Sequence, residues 1–153
     1  MKKKVFRIDW VLKNELAIGR APRTNEEIEL IKSKGIKSIF SLCSEDEASF
    51  SDLNIAFFFH ERFVLPDHKC GRSPDNFEIK HSYFLLEKLM QKGPVYIHCF
   101  AGMERSPLIC LLWLVKQHQL TLNESLYYLK EAHPETNPLP EQLESLREYL
   151  KSS

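Results

Sequence analysis

Apolar and polar positions alternate from Val5 to Val11, with Phe6, Ile8 and Trp10 on one side, and this period of two predicts a strand or packed arm. Leu16-Ala17-Ile18-Gly19 reads as a short strand closing in a turn. The period then changes. Thr24-Asn25-Glu26-Glu27 has the form of a capping box, with Ile28 and Ile31 on one face behind it, so a helix runs to about Ser33 and stops at Gly35. Ile36 to Leu42 is rich in β-branched residues and predicts a strand. Ser44 to Phe50 is polar and suits a helical turn. Ile55-Ala56-Phe57-Phe58-Phe59 is an unbroken apolar run and predicts a buried strand. Glu61 to Ser73 is a polar loop containing Pro66 and Gly71.

Ser73-Pro74-Asp75 predicts a helix start with Ser73 as cap and Pro74 in the first turn, and Ile79, Tyr83, Leu86 and Met90 follow at helical spacing. Gly93-Pro94 ends that helix. Val95-Tyr96-Ile97 is a short buried strand, and the apolar run from Pro107 to Val115 is a core helix. Thr121-Leu122-Asn123-Glu124 is a second capping box, opening a helix with Leu122, Leu126 and Leu129 on its stripe. His133 to Pro140 is a loop, and Glu141 to Lys151 is a terminal helix carrying Leu143, Leu146 and Leu150. Strands alternating with helices imply an α/β fold: one compact domain over residues 1–153, with a central, mainly parallel sheet flanked by helices.

Composition narrows the chemistry. The chain has 153 residues, with 21 Lys+Arg against 21 Asp+Glu, so its formal charge is zero. That balance argues against bulk binding to nucleic acid or to a membrane surface. Lys2 to Lys4 read as a solvated tail. They are followed by Arg7, Asp9 and Lys13 rather than by the apolar centre of a signal peptide, and no run reaches membrane-spanning length. Cys43, Cys70, Cys99 and Cys110 show no metal-ligand spacing, and free thiols fit a reducing, cytoplasmic setting. No cofactor is implied. Oligomeric state is not legible.

The chemistry concentrates in His98-Cys99-Phe100-Ala101-Gly102-Met103-Glu104-Arg105-Ser106, between the strand ending at Ile97 and the helix opening near Pro107. Pro107 suits a first helical turn, where its missing N–H is not needed. A loop there turns backbone N–H groups inward at the positive end of a helix dipole, which makes a cradle for an oxyanion formed by Phe100, Ala101, Gly102, Met103, Glu104 and Arg105. A free thiol has a pKa of about 8.5, and a helix N-terminus with nearby cations lowers it to roughly 3.5–7.5, so Cys99 is a candidate nucleophile. Gly102 permits close approach of backbone to ligand. Arg105 brings a planar fork for two phosphate oxygens. Ser106 has a hydroxyl able to donate to the sulfur, and His98 can orient the loop by hydrogen bonding.

This His-Cys-x-x-Gly-x-x-Arg-Ser pattern resembles the signature of the cysteine-based protein phosphatases, and the strand–loop–helix context agrees with it. Departure of an alkoxide or phenolate needs a proton, and the dual-specificity branch carries its acid on a loop upstream of the cysteine. The resemblance therefore assigns the general acid to Asp67, in Val64-Leu65-Pro66-Asp67-His68, with Asp75 as an alternative already engaged at a helix start. It implies metal-independent hydrolysis of phosphotyrosine and phosphoserine or phosphothreonine in proteins through a cysteinyl-phosphate. Gly35 to Leu42 resembles a strand of that fold, and some relatives carry a cysteine at the position of Cys43 that bonds the nucleophile. Glu104 departs from the pattern and disfavours highly anionic substrates such as phosphoinositides. Arg62, His68, Lys69 and Arg72 are candidates for positive charge around the mouth. Three other readings stay open: a phosphate-binding module without turnover, which would usually lack the Cys, the Arg or the acid; a phosphatase for a phosphorylated sugar, lipid or nucleotide; and sulfur or arsenate chemistry with Cys43 or Cys70 as resolving thiol, which would not need Asp67 or Ser106.

Overall fold

The computed structural model describes residues 5–153, so Lys2 to Lys4 lie outside it. Its five strands are β1 (Asp9–Leu12), β2 (Leu16–Gly19), β3 (Ser38–Ser41), β4 (Phe59–Arg62) and β5 (Val95–His98). Its five helices are α1 (Asn25–Ser33), α2 (Asn76–Met90), α3 (Arg105–His118), α4 (Leu122–Ala132) and α5 (Pro140–Ser152). The sheet order is β1-β2-β5-β3-β4, antiparallel only between β1 and β2. β5 is central, with Ile97 opposite Ile18 on one side and Phe40 on the other.

Alternation along the strands sorts the core into two layers. Leu16, Ile18, Phe40, Val95 and Ile97 join a cluster with α2, α3, α4 and α5, whereas Ala17, Ile39 and Tyr96 face Ile28 and Ile31 of α1 with Phe6, Phe50 and Phe58. α3 is buried along almost its whole first three turns, as befits a helix apolar on every side.

Two local expectations are corrected. The apolar run Ile55 to Phe59 is not a buried strand. Pairing starts at Phe59 and continues through His60, Glu61 and Arg62 at the sheet edge, while Phe57 and Phe59 are about half exposed. Lys32 and Lys37 lie over the Phe57 ring and Lys92 over Phe59, so these aromatics are covered by cations rather than by core. The cap of α2 is Asp75, not Ser73, because Asp75 accepts from Glu78 N and the Glu78 carboxylate answers to Asp75 N. Pro74 consequently precedes the helix. The expected strand or packed arm at the N-terminus is both, a strand over Asp9–Leu12 preceded by an arm whose Phe6 is buried in the second cluster.

The turns that follow the carboxyl ends of β2, β3, β4 and β5 gather at one end of the sheet, the place where open α/β sheets bind ligands.

Candidate active site

The loop from Cys99 to Glu104 connects the central strand β5 to the N-terminus of α3. Gly102 has φ +74°, and a Cβ there would meet the Gly19 carbonyl oxygen at 2.7 Å, so only glycine lets the loop lean on the end of β2. Four of the loop's carbonyl oxygens are held from behind. His98 Nδ1 donates to Cys99 O (3.0 Å), Ala21 N to Phe100 O (3.1 Å), His133 Nε2 to Gly102 O (2.6 Å) and Asn137 N to Met103 O (2.7 Å). A trans peptide points its N–H opposite its C=O. The amides of Phe100, Ala101, Met103 and Glu104 therefore turn away from those anchors, and all four residues line a cavity of about 570 Å³.

That cavity also takes in Cys99, Arg105, Asp67, His68, Lys69, Asp46 and Glu47. Cys99 is 3 % exposed, with Sγ 3.3 Å from Ser106 Oγ. Arg105 is buried, and its end is fixed by Glu47, with Nη2 to Oε1 at 2.7 Å and Nη1 to Oε2 at 3.2 Å. Nη1 also donates to Leu65 O (3.2 Å) and Leu42 O (3.4 Å). Of the five guanidinium N–H groups, Nε–H and the second Nη2–H have no protein partner among the described residues, and together they form an edge able to take two oxyanion oxygens. The Arg105 hydrogen bonds hold the Glu47 carboxyl down at about 2, against a smaller opposing effect of burial.

His98 is wholly buried, and burial pushes it down to about 3, so its ring is neutral. Its Nδ1–H serves Cys99 O. Its Nε2 then accepts from Ser41 Oγ at 2.6 Å, and the Ser41 hydroxyl accepts in turn from His60 Nε2 at 3.0 Å. This chain fixes the tautomer and ties the loop's first peptide to β3 and β4.

Asp67 ends the stretch after β4 and caps a short 3-10 turn, His68–Cys70, by accepting from Lys69 N at 2.9 Å. Cys70 Sγ lies 3.5 Å from the same oxygen. His68 Nδ1 reaches Glu104 Oε2 at 2.8 Å, and Gln142 Nε2 of α5 donates to Glu104 Oε1 at 3.2 Å. Two of the four expected mouth cations are placed elsewhere: Arg72 pairs with Glu78, and Arg62 donates to the carbonyls of Cys43 and Ala48. Asp75 is occupied at the start of α2. Cys43 follows β3, fully buried and unbonded, with Sγ 3.9 Å from His98 Nδ1, and burial pushes its thiol up to about 11. Sequence reading missed Glu47, His133 and Asp9. Glu47 lies in the turn six residues past β3, and no local pattern in the sequence marked it.

Residues 24–152 match the family model described as the dual specificity phosphatase catalytic domain. The chain belongs to the dual specificity phosphatase family. It is 30 % identical over 136 residues to a probable dual specificity protein phosphatase of Dictyostelium discoideum, covering 86 % of this chain and 45 % of that protein. It is 26 % identical to protein-tyrosine-phosphatase IBR5 of Arabidopsis thaliana, over 79 % of this chain and 43 % of that one. The chain thus spans less than half the length of these relatives. Among solved structures, Tk-PTP in its active form superposes with a TM-score of 0.79 at 18 % identity, covering 95 % and 97 % of the two chains. PTPMT1 in complex with PI(5)P gives 0.80 at 20 % identity, covering 95 % of each. These likenesses show the phosphatase fold, and family membership supports phosphatase activity. No helix among the described residues is long and apolar enough to cross a membrane.

Proposed function

We propose that the chain hydrolyses phosphomonoesters of proteins, at phosphotyrosine and at phosphoserine or phosphothreonine, through a phosphorylated Cys99. The observation that carries this reading is one cavity lined by Cys99, the loop amides, Arg105 and Asp67. The Cys99 sulfur, as thiolate, attacks phosphorus and forms an S–P bond as the P–O ester bond breaks. The loop amides and the free edge of Arg105 hold the equatorial oxygens, where charge spreads in a loose transition state. Asp67 gives its proton to the departing oxygen. Water then attacks the phosphocysteine, losing a proton to Asp67, and thiolate and inorganic phosphate separate. Ser106 supports the sulfur as leaving group by donating from Oγ.

Glu104 favours protein over phosphoinositide substrates, because a ring carrying further phosphates would meet its carboxylate at the mouth. PTPMT1, whose structure holds PI(5)P, makes that lipid the comparison to run. The test is release of phosphate from a phosphopeptide panel and from phosphoinositides, with no metal added. Turnover of the peptides, abolished in Cys99→Ser with peptide binding retained, is the expected result. Turnover confined to the lipid, or persisting in Cys99→Ser, would overturn it.

The same reading keeps Cys43 as the thiol that captures an oxidised Cys99. Peroxide oxidises Cys99 to its sulfenic acid as the O–O bond breaks, and the Cys43 thiolate then displaces hydroxide from that sulfur to form the S–S bond, so the raised pKa of Cys43 makes bond formation slow at neutral pH and faster as pH rises. Mass mapping after mild peroxide should find a Cys43–Cys99 bond. Only over-oxidised Cys99, or a Cys70–Cys99 bond, rules it out.

A further inference from the structure

His133 lies just past α4, in a loop with no part in the motif, yet its ring is almost wholly buried against the back of the cradle. Its Nε2 meets Gly102 O at 2.6 Å and its Nδ1 meets Asp9 Oδ2 of β1 at 2.7 Å. Asp9 is itself 12 % exposed and receives Arg7 at 3.0 Å on its other oxygen. Three segments distant in sequence thus converge on one loop carbonyl.

The consequence lies in what the Gly102–Met103 peptide would otherwise do. Turning the Gly102–Met103 peptide over exchanges the directions of its C=O and N–H by rotating ψ of Gly102 and φ of Met103; glycine at φ +74° takes the new ψ freely, and the backbone cost falls on Met103 alone. In the observed form the oxygen faces His133 and Met103 N–H faces the opposite way. In the flipped form an oxygen would replace that N–H in the cradle and repel an incoming oxyanion. Gly102 O has no other donor among the described residues, whereas Phe100 O and Met103 O are held by backbone amides that side-chain substitution leaves in place. His133 is therefore the side chain on which this orientation turns, and Asp9 fixes the ring that supplies the bond.

We propose that the Asp9–His133 pair is a positioning device that locks the Gly102–Met103 peptide in its oxyanion-binding orientation. The proposal rests on the phosphatase reading of the cradle and adds to it two residues outside the motif. His133 touches no substrate in this account. It acts through the loop.

Two substitutions separate the hydrogen bond from mere packing. Gln places an amide N–H near the position of Nε2, and Asn falls short of it. His133→Asn should weaken tungstate binding, measured by calorimetry, by about tenfold, the loss expected when a buried carbonyl is left without its donor. His133→Gln should stay within about threefold of the wild type. The 13C resonance of the Gly102 carbonyl should move upfield in His133→Asn and hold in His133→Gln. Asp9→Ala should show the same shift with a smaller loss of affinity. Equal losses in the two His133 variants, or a His133→Asn protein that binds tungstate like the wild type, overturn the proposal. An Asp9→Ala protein with wild-type affinity removes Asp9 from it. A wild type that takes up no tungstate defeats the phosphatase reading instead, and the Gly102 resonance, which needs no ligand, still decides whether His133 sets the peptide.

Discussion

Two loops face each other across the cavity and are held in opposite ways. The loop from Cys99 to Glu104 is anchored through buried partners on β3, on the turns after β2 and α4, and on the 133–140 segment. The loop carrying Asp67 is buried only at Leu65 and Pro66. Beyond them it is held by its own cap at Lys69 N and by one half-exposed contact, His68 to Glu104. The difference fits what the proposed mechanism asks of each side. Groups that stabilise developing charge are effective only if oriented before the substrate arrives, since reorienting dipoles during reaction costs what they would supply. A proton donor has to be in reach only as the leaving bond breaks, and a loosely held loop lets product out.

The largest expected effect tests the rigid side. Arg105 cannot adapt, because its end is fixed by Glu47 and only one edge faces the ligand. Arg105→Lys offers a point charge in place of that fork, and kcat should fall by about 10³-fold or more for every substrate, whatever its leaving group. A loss that varied with the leaving group would mean that Arg105 acts on the departing oxygen.

Asp67→Asn probes the loose side and should behave differently. The loss should reach about 10²–10³-fold for phosphoserine peptides, whose alkoxide leaves poorly, and shrink for p-nitrophenyl phosphate, whose leaving group needs little help. The basic limb of the pH–rate profile should disappear with it. Wild-type rates on phosphopeptides would place the acid elsewhere.

The two sides were also unequally legible in the sequence. The Cys99 loop was readable because strand, glycine, arginine and proline sit within a few residues of one another, and α3 starts where Pro107 allows. The supports of that loop were not. Asp9, Glu47 and His133 are brought to it by sheet order and helix packing, and nothing local distinguishes a buried His–Asp pair from surface residues. Helix positions followed the apolar period well, whereas Phe57 and Phe59 misled because hydrophobic character alone does not say whether core or a lysine ammonium covers a ring.

Acid should expose the cost of the rigid side. His98 stays neutral in the fold down to about 3, whereas an ordinary histidine takes up a proton near 6.5. Between those values the unfolded chain binds more protons, so stability falls as pH drops from 6.5 towards 3. Glu47 has the opposite chemistry and a lower window. Its contribution is complete above the ordinary value of 4.5 and is lost as pH falls towards about 2. Thermal melts of the wild type should therefore decline from about pH 6.5 downward, and His98→Asn should melt lower at pH 7 with a flatter decline. Glu47→Gln should lose about 2 kcal/mol at pH 7, or about 4–8 °C of Tm at this chain length, with the deficit closing as pH falls below 4.5. A deficit independent of pH in that range would show that the carboxylate's charge contributes nothing.

The smallest effect is the most discriminating. His68 and Glu104 join the two loops directly, and Gln142 steadies the Glu104 carboxylate from α5. A contact as exposed as this one is worth roughly 0.2–1 kcal/mol, and whatever part of it is an ion pair is weakened by salt. His68→Ala should accordingly lower kcat/KM on phosphoserine peptides by about two- to fivefold, leave p-nitrophenyl phosphate hydrolysis unchanged, and lose its effect at high salt. Glu104→Gln should reproduce that loss, and the double variant should be no worse than either single one, because both remove the same contact. If His68→Ala costs as much as Asp67→Asn, the acid loop is not held loosely at all. The contrast between the two sides would then collapse, with Glu104 counted among the groups that place the proton donor.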